Sequence, residues 1–215
     1  MKCTTQYLSI NDSKSRMPLS HCSHWIFDMD GTLTLPMHDF DDIRAQLGIS
    51  AGVPILEAID VMPADRAAEL TQELHAIEMK IAGQAQAQPG ARELLQAMQQ
   101  HGLQLGILTR NGKDIALATL AAAGLEFFAE QHIIGRECCA PKPSPAGVNL
   151  LLDQWGAPQQ QTVMVGDFLY DIEAGRHAGV NTVHFDQTGV FQWPEYTDHK
   201  ISEFSDLAKL IGLRL

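Results

Sequence analysis

Residues 24–34, HWIFDMDGTLT, set an apolar run, Trp25-Ile26-Phe27, directly against two aspartates, Asp28 and Asp30, and a glycine. Three apolar residues closed by a turn signal read as a buried strand, over residues 24–29. Carboxylates at the tip of such a strand cost free energy unless something positive meets them. The stretch therefore demands a fold that gathers compensating charge at one end of a sheet.

The rest of the chain supplies that sheet. From Pro89 helix and strand alternate: helix ARELLQAMQQ, strand LQLGILT (103–109), helix IALATLAAAG, a brief strand at Ile133-Ile134, and a helix over 145–155. Strand TVMVG (162–166), helix YDIEAGRHAG and strand VNTVHF complete the series. Near-continuous apolar strands separated by amphipathic helices predict an α/β fold, a Rossmann-like parallel sheet covered on both faces. Residues 37–86 interrupt it with helical pattern alone. Asp39 caps a helix carrying Phe40, Ile43 and Leu47, stopped by Gly48. A longer helix after Pro63 repeats Leu70, Leu74, Ile77 and Ile81, and AGQAQAQPG (82–90) is a linker. The expected division is a polar leader over 1–20, a core over 21–36 and 87–215, and a small helical cap over 37–86.

A formal charge of −11 argues against non-specific nucleic-acid binding, which needs clustered Lys and Arg. No run reaches the about 20 apolar residues that span a bilayer, and the leader lacks a signal-peptide core. Four cysteines, two of them adjacent and none in a CxxC, give neither a disulfide scaffold nor a zinc site. The expectation is a soluble cytoplasmic protein.

In open parallel sheets ligands bind beyond the carboxyl ends of the strands. The residues following the apolar runs are Asp28 and Asp30; Thr109, Arg110 and Asn111; then Asp167, with Asp171 four residues on. Lys142 lies in PKPSP, where Ser144 reads as a helix N-cap and Pro145 as a first helical residue. Four carboxylates would converge on one edge, each close pair costing about 1–4 kcal/mol. One lysine cannot neutralise them. A divalent cation can, and oxygen-only ligands favour Mg²⁺ over zinc or copper. Asp28 and Asp167 are the expected ligands, with Asp171 one helical turn behind.

The ordered set DxDGT, Thr after an apolar strand, KP and GDxxxD closely resembles the haloacid dehalogenase superfamily, from residue 24 to about 185. The helical insertion is similar to the subgroup of phosphoglycolate phosphatase and β-phosphoglucomutase. The resemblance implies Asp28 as nucleophile and Asp30 as acid/base, with the Asp30 backbone carbonyl also on Mg²⁺. It implies that Thr109 binds the phosphoryl group, that Lys142 bridges phosphoryl and nucleophile, and that Asp167 holds the metal. Arg110 and Asn111 fall beside the phosphoryl site. The second aspartate implies phosphoryl transfer, since the dehalogenases lack it and the related ATPases carry threonine there.

The expected activity is Mg²⁺-dependent removal of phosphate from a small phosphorylated metabolite. The alternatives are a sugar phosphomutase and a phospho-acceptor signalling domain of the receiver kind, whose acceptor sits instead on the third strand. His38, Arg44, Arg66, His75 and Lys80 lie in or beside the cap, within reach of a substrate's far end or on solvated faces. His21 and His24 show no ligand spacing, and Met62, Met79 and Met98 read as core fillers. Nothing in the sequence fixes the oligomeric state.

Overall fold

A computed structural model describes residues 17–37 and 39–215. Six parallel strands form one sheet: β1 (His24–Phe27), β2 (Gln104–Leu108), β3 (Ile133–Ile134), β4 (Thr162–Gly166), β5 (Asn181–Phe185) and β6 (His199–Ile201), in the order β3-β2-β1-β4-β5-β6. The helices are α1 (Phe40–Leu47), α2 (Ile55–Asp60), α3 (Ala64–Ala82), α4 (Ala91–Gln100), α5 (Lys113–Ala123), α6 (Ala146–Trp155), α7 (Leu169–His177) and α8 (Phe204–Ile211).

Alternation along each strand sorts the core into two layers. Trp25, Phe27, Ile107, Val163 and Val165 point to one face, where they pack with residues of α4, α5 and α8. Ile26, Leu108 and Met164 point to the other, against α6 and α7. All of these strand residues are at most 3% exposed, which is why the strands read as unbroken apolar runs. The strand order reverses at β1, so the crevice for a ligand opens beyond the ends of β1, β2 and β4. Those ends are level: Phe27 pairs with Ile107 on one side and Val165 on the other.

Helices α1, α2 and α3 pack around a separate apolar cluster that includes Ile43, Leu47, Ile59, Leu70 and Leu74. Asp39 accepts from the N–H groups of Asp41 and Asp42, and Gly48 ends α1 in the left-handed conformation. The two connections between this cap and the sheet run side by side. Leu35 N–H bonds to Gln86 O at 2.9 Å and Gln88 N–H to Leu33 O at 2.8 Å.

Several elements differ from the sequence expectation. Helix α2 was not foreseen, because its six residues are too few to display helical periodicity. Neither were β6 and α8. The QAQAQ linker is half of the paired connection rather than free chain. The first strand ends at Phe27, not 29, because the Met29 carbonyl turns inward to accept from Leu33 N–H, Thr34 N–H and Thr34 Oγ1–H. Helix α6 begins one residue late, with Pro145 before it; the Ser144 hydroxyl still accepts from Ala146 N–H at 3.3 Å. Most of the expected leader, and His38, lie outside the described residues, but Leu19 is only 3% exposed and packs into the core. Met98 is a core filler, fully buried; Met62 packs against the cap cluster. Cys22, Cys138 and Cys139 are unpaired. Among the described residues, no helix is long and apolar enough to cross a membrane.

Candidate active site

The tight turn after β1 aims its two aspartates at the sheet crevice. Asp28 N–H bonds to Val165 O at 2.8 Å, which seats its carboxylate between the ends of β1 and β4. Gly31 closes the turn at φ 83°, a conformation that suits glycine. A Cβ there would stand 2.4 Å from Asp167 Oδ2. The glycine after the two aspartates thus lets the carboxylate from β4 close on the first loop.

Lys142 is the hub. Its ammonium donates to Asp28 Oδ1, and at 2.6 Å to Asp171 Oδ1, with the lysine side chain 3% exposed. Asp171 Oδ2 accepts from Phe168 N–H at 3.0 Å, so both of its oxygens are engaged. Gly166 makes room for it, because a Cβ at 166 would lie 2.2 Å from the Asp171 Cβ. Asp167 Oδ1 accepts from Thr32 Oγ1–H at 3.0 Å. One ligand atom from each of Asp28, Asp167 and Asp171 lies within 4.8 Å of the others. Across the crevice, Asn111 Nδ2 donates to Asp30 Oδ2 at 2.8 Å, and Asn111 N–H bonds to Thr109 Oγ1 at 3.1 Å.

Electrostatics reports an excess of negative charge. Burial raises the Asp28 pKa well above the carboxylate range; Lys142 opposes this, and Asp171, Asp167 and Asp30 reinforce it. Burial and then Asp171 push Asp167 up to about 6, against the Thr32 hydrogen bond. Burial alone would lower the Lys142 pKa, but Asp171 and Asp28 outweigh it and hold the ammonium charged. Three carboxylates around one lysine, with oxygen donors only, fit a hard divalent cation.

A cavity of about 490 Å³ opens above these groups, walled by the cap. Of the cap residues singled out from sequence, Arg44 lines it, and it is paired with Asp41 at 2.6 Å. Arg66 and His75 make surface pairs with Glu69 and Asp114, and Lys80 is exposed. Arg110 does not reach the carboxylates. It bonds Glu57 of α2 at 2.7 Å and lies 5.3 Å from the Tyr170 ring centroid.

Sequence reasoning passed over Thr32, Glu57, Glu78, Arg136 and Tyr170. Thr32 stood inside the quoted motif. Arg136 follows the short strand β3, where the rule of inspecting strand ends would have found it. Glu78 repeats the Leu70–Leu74 spacing on the apolar face of α3, and a charge on that face was the signal. Arg136 grips it bidentately, at 2.9 and 2.7 Å, joining core to cap. Arg136→Ala leaves Glu78, whose side chain is 8% exposed, without its partner. The expected cost is about 2–4 kcal/mol by denaturant titration. Adding Glu78→Leu should recover most of it, and an additive double variant would contradict a buried pair.

Residues 39–185 match the haloacid dehalogenase-like hydrolase family, a span that includes Thr109, Lys142 and Asp167, with Asp28 and Asp30 just before it. An uncharacterized hydrolase of Saccharomyces cerevisiae is 28% identical over 201 residues, covering 90% of this chain and 92% of the relative. A phosphoglycolate phosphatase of Rhodospirillum rubrum is 29% identical over 213 residues, 86% of this chain and 88% of the relative. The crystal structure of a hydrolase from Pseudomonas syringae superposes with a TM-score of 0.74 at 22% identity, over 87% of this chain and 96% of that one.

Proposed function

The chain belongs to the haloacid dehalogenase-like hydrolase family, and on that premise we propose that it is a Mg²⁺-dependent phosphatase of small phosphomonoesters, working through an aspartyl-phosphate on Asp28. The observation that carries this reading is the meeting of Asp28, Asp167 and Asp171 around Lys142 at the floor of a cavity. Asp28, Asp167 and the Asp30 backbone carbonyl would hold Mg²⁺, which when bound screens the phosphoryl oxygens from the attacking carboxylate.

The residues divide the work. A carboxylate oxygen of Asp28 attacks phosphorus, and the bond from phosphorus to the leaving-group oxygen breaks. Asp30, steadied by Asn111, gives that oxygen its proton. Water then attacks the phosphorus of the acyl phosphate, Asp30 takes its proton back, and Asp28 is released with inorganic phosphate. Thr109 Oγ1 already accepts one N–H, which leaves its own proton for a phosphoryl oxygen. Lys142 holds the nucleophile in place and keeps a positive charge beside it. Asp171, bound to Lys142 and to Phe168 N–H, steadies the lysine.

The Rhodospirillum relative's name supports a small phosphomonoester as substrate class. A cavity under a helical cap supports an enzyme over a phospho-acceptor signalling domain, which has no need of one. Phosphate release from p-nitrophenyl phosphate should require Mg²⁺, stop with a chelator and resume on adding the metal back. Mg²⁺ at about a hundred times its Kd should also raise the melting temperature by about 5–10 °C. Turnover indifferent to chelation sinks the metal assignment. Product analysis with a sugar phosphate separates hydrolysis from phosphoryl return to the sugar.

A further inference from the structure

The cavity above the carboxylates is far larger than a two-carbon leaving group needs. Its volume is about 490 Å³, including the space over the carboxylates. Apart from Arg44, Glu57 and Glu78, its helical cap side is apolar: Phe40, Ile43, Ile55, Leu56 and Leu74 line it, and Phe168 faces it from the core. Phe40 and Phe168 remain 57% and 49% exposed.

The charges on its wall point the same way. Three arginines line the cavity, and each already has a carboxylate: Arg44 with Asp41 at 2.6 Å, Arg110 with Glu57 at 2.7 Å, and Arg136 with Glu78 at 2.7 Å. Lys142 is taken by Asp28 and Asp171. Among the described lining residues, every cation thus has an acid of this chain beside it, although the buried Nε of Arg44 has no hydrogen-bond partner. A second anionic group on the substrate, such as the carboxylate of a phosphorylated hydroxy acid, would have to compete with these acids for the arginines, most steeply at Arg136, whose partner Glu78 has a side chain 8% exposed.

We propose that the preferred substrate is the phosphomonoester of an uncharged, largely apolar alcohol or phenol, with a leaving group of ring size or larger. The proposal rests on the phosphatase reading above. The phosphoryl group sits on the acidic floor, the apolar body fills the space under α1 and α2, and Glu57 beside Arg110 disfavours carboxylated competitors.

The test compares kcat/KM for 1-naphthyl phosphate and phosphoglycolate in three proteins. The wild type should prefer 1-naphthyl phosphate at least tenfold. Phe40→Ala should raise KM for 1-naphthyl phosphate several-fold more than it raises KM for phosphoglycolate. Glu57→Gln frees Arg110 and should raise kcat/KM for phosphoglycolate about tenfold or more. A wild type that prefers phosphoglycolate overturns the proposal while leaving the phosphatase reading intact, and so does a Glu57→Gln variant with an unchanged substrate ratio. A protein that hydrolyses neither ester overturns both.

Discussion

Asp28→Asn should lower kcat for p-nitrophenyl phosphate by at least about 10⁴-fold, the scale of losing a nucleophile. The asparagine amide is nearly the same size as the carboxylate, so it fits the buried position, but it cannot form the acyl phosphate. The fold loses the Lys142–Asp28 charge pair but keeps that of Lys142 with Asp171. Asp28 is among the most strained charges in the protein, with burial and three other carboxylates holding its pKa high, so the neutral side chain relieves repulsion. The two effects oppose each other, so in the absence of metal the variant should melt closer to the wild type than Lys142→Met does, a pattern expected where function is kept at the expense of stability. Asp30→Asn keeps the nucleophile and removes the proton carrier, with an expected loss of about 10²–10⁴-fold. Measurable steady-state turnover by Asp28→Asn near the wild-type rate would remove the nucleophile assignment.

Lys142→Met should be the most destabilising single change at the site. The lysine and both of its acidic partners are buried, with side-chain exposures of 3%, 10% and 3% for Lys142, Asp28 and Asp171. Removing one member of a buried ion pair costs about 3–5 kcal/mol. At about 2–4 °C per kcal/mol for a chain of this size, the melting temperature should fall by about 10 °C. The deficit should depend on pH in a defined direction. Without the ammonium, the folded-state pKa of Asp28 rises further above its unfolded value. A carboxyl raised in this way binds more protons folded than unfolded, so stability falls as pH rises through the folded-state pKa. Lys142 itself stays charged in both states from pH 5 to 8 and adds no slope of its own. The variant should therefore lie closer to the wild type at pH 5 than at pH 8 in thermal melts. Equal stability of the two proteins at pH 8 would contradict the buried triad.

How legible the fold was depended on how local each signal is. Helix α4 and strands β3 and β4 match their sequence spans residue for residue, because a buried parallel strand shows as an unbroken apolar run and a helix shows as a period. Helix α2, strand β6 and helix α8 were missed. The first is too short to show a period, and β6 presents only one fully buried residue, Ile201. Among the candidate site residues, Asp28, Lys142, Asp167 and Asp171 meet within hydrogen-bonding or metal-sharing distance. Arg110 turns instead to the cap, because Glu57 on the unforeseen α2 stands within its reach.

The sequence by itself determined the alternation of strand and helix, and with it which polar residues end up at the tips of strands. That order is written in apolar periodicity, a property of neighbours along the chain. Only the tertiary structure decided the pairings that shape the cavity: Glu57 with Arg110, Glu78 with Arg136, and both acids on one lysine. These partners lie far apart in sequence. They meet because the sheet and the paired connections bring the cap down over the strand ends, and no local pattern encodes that distance.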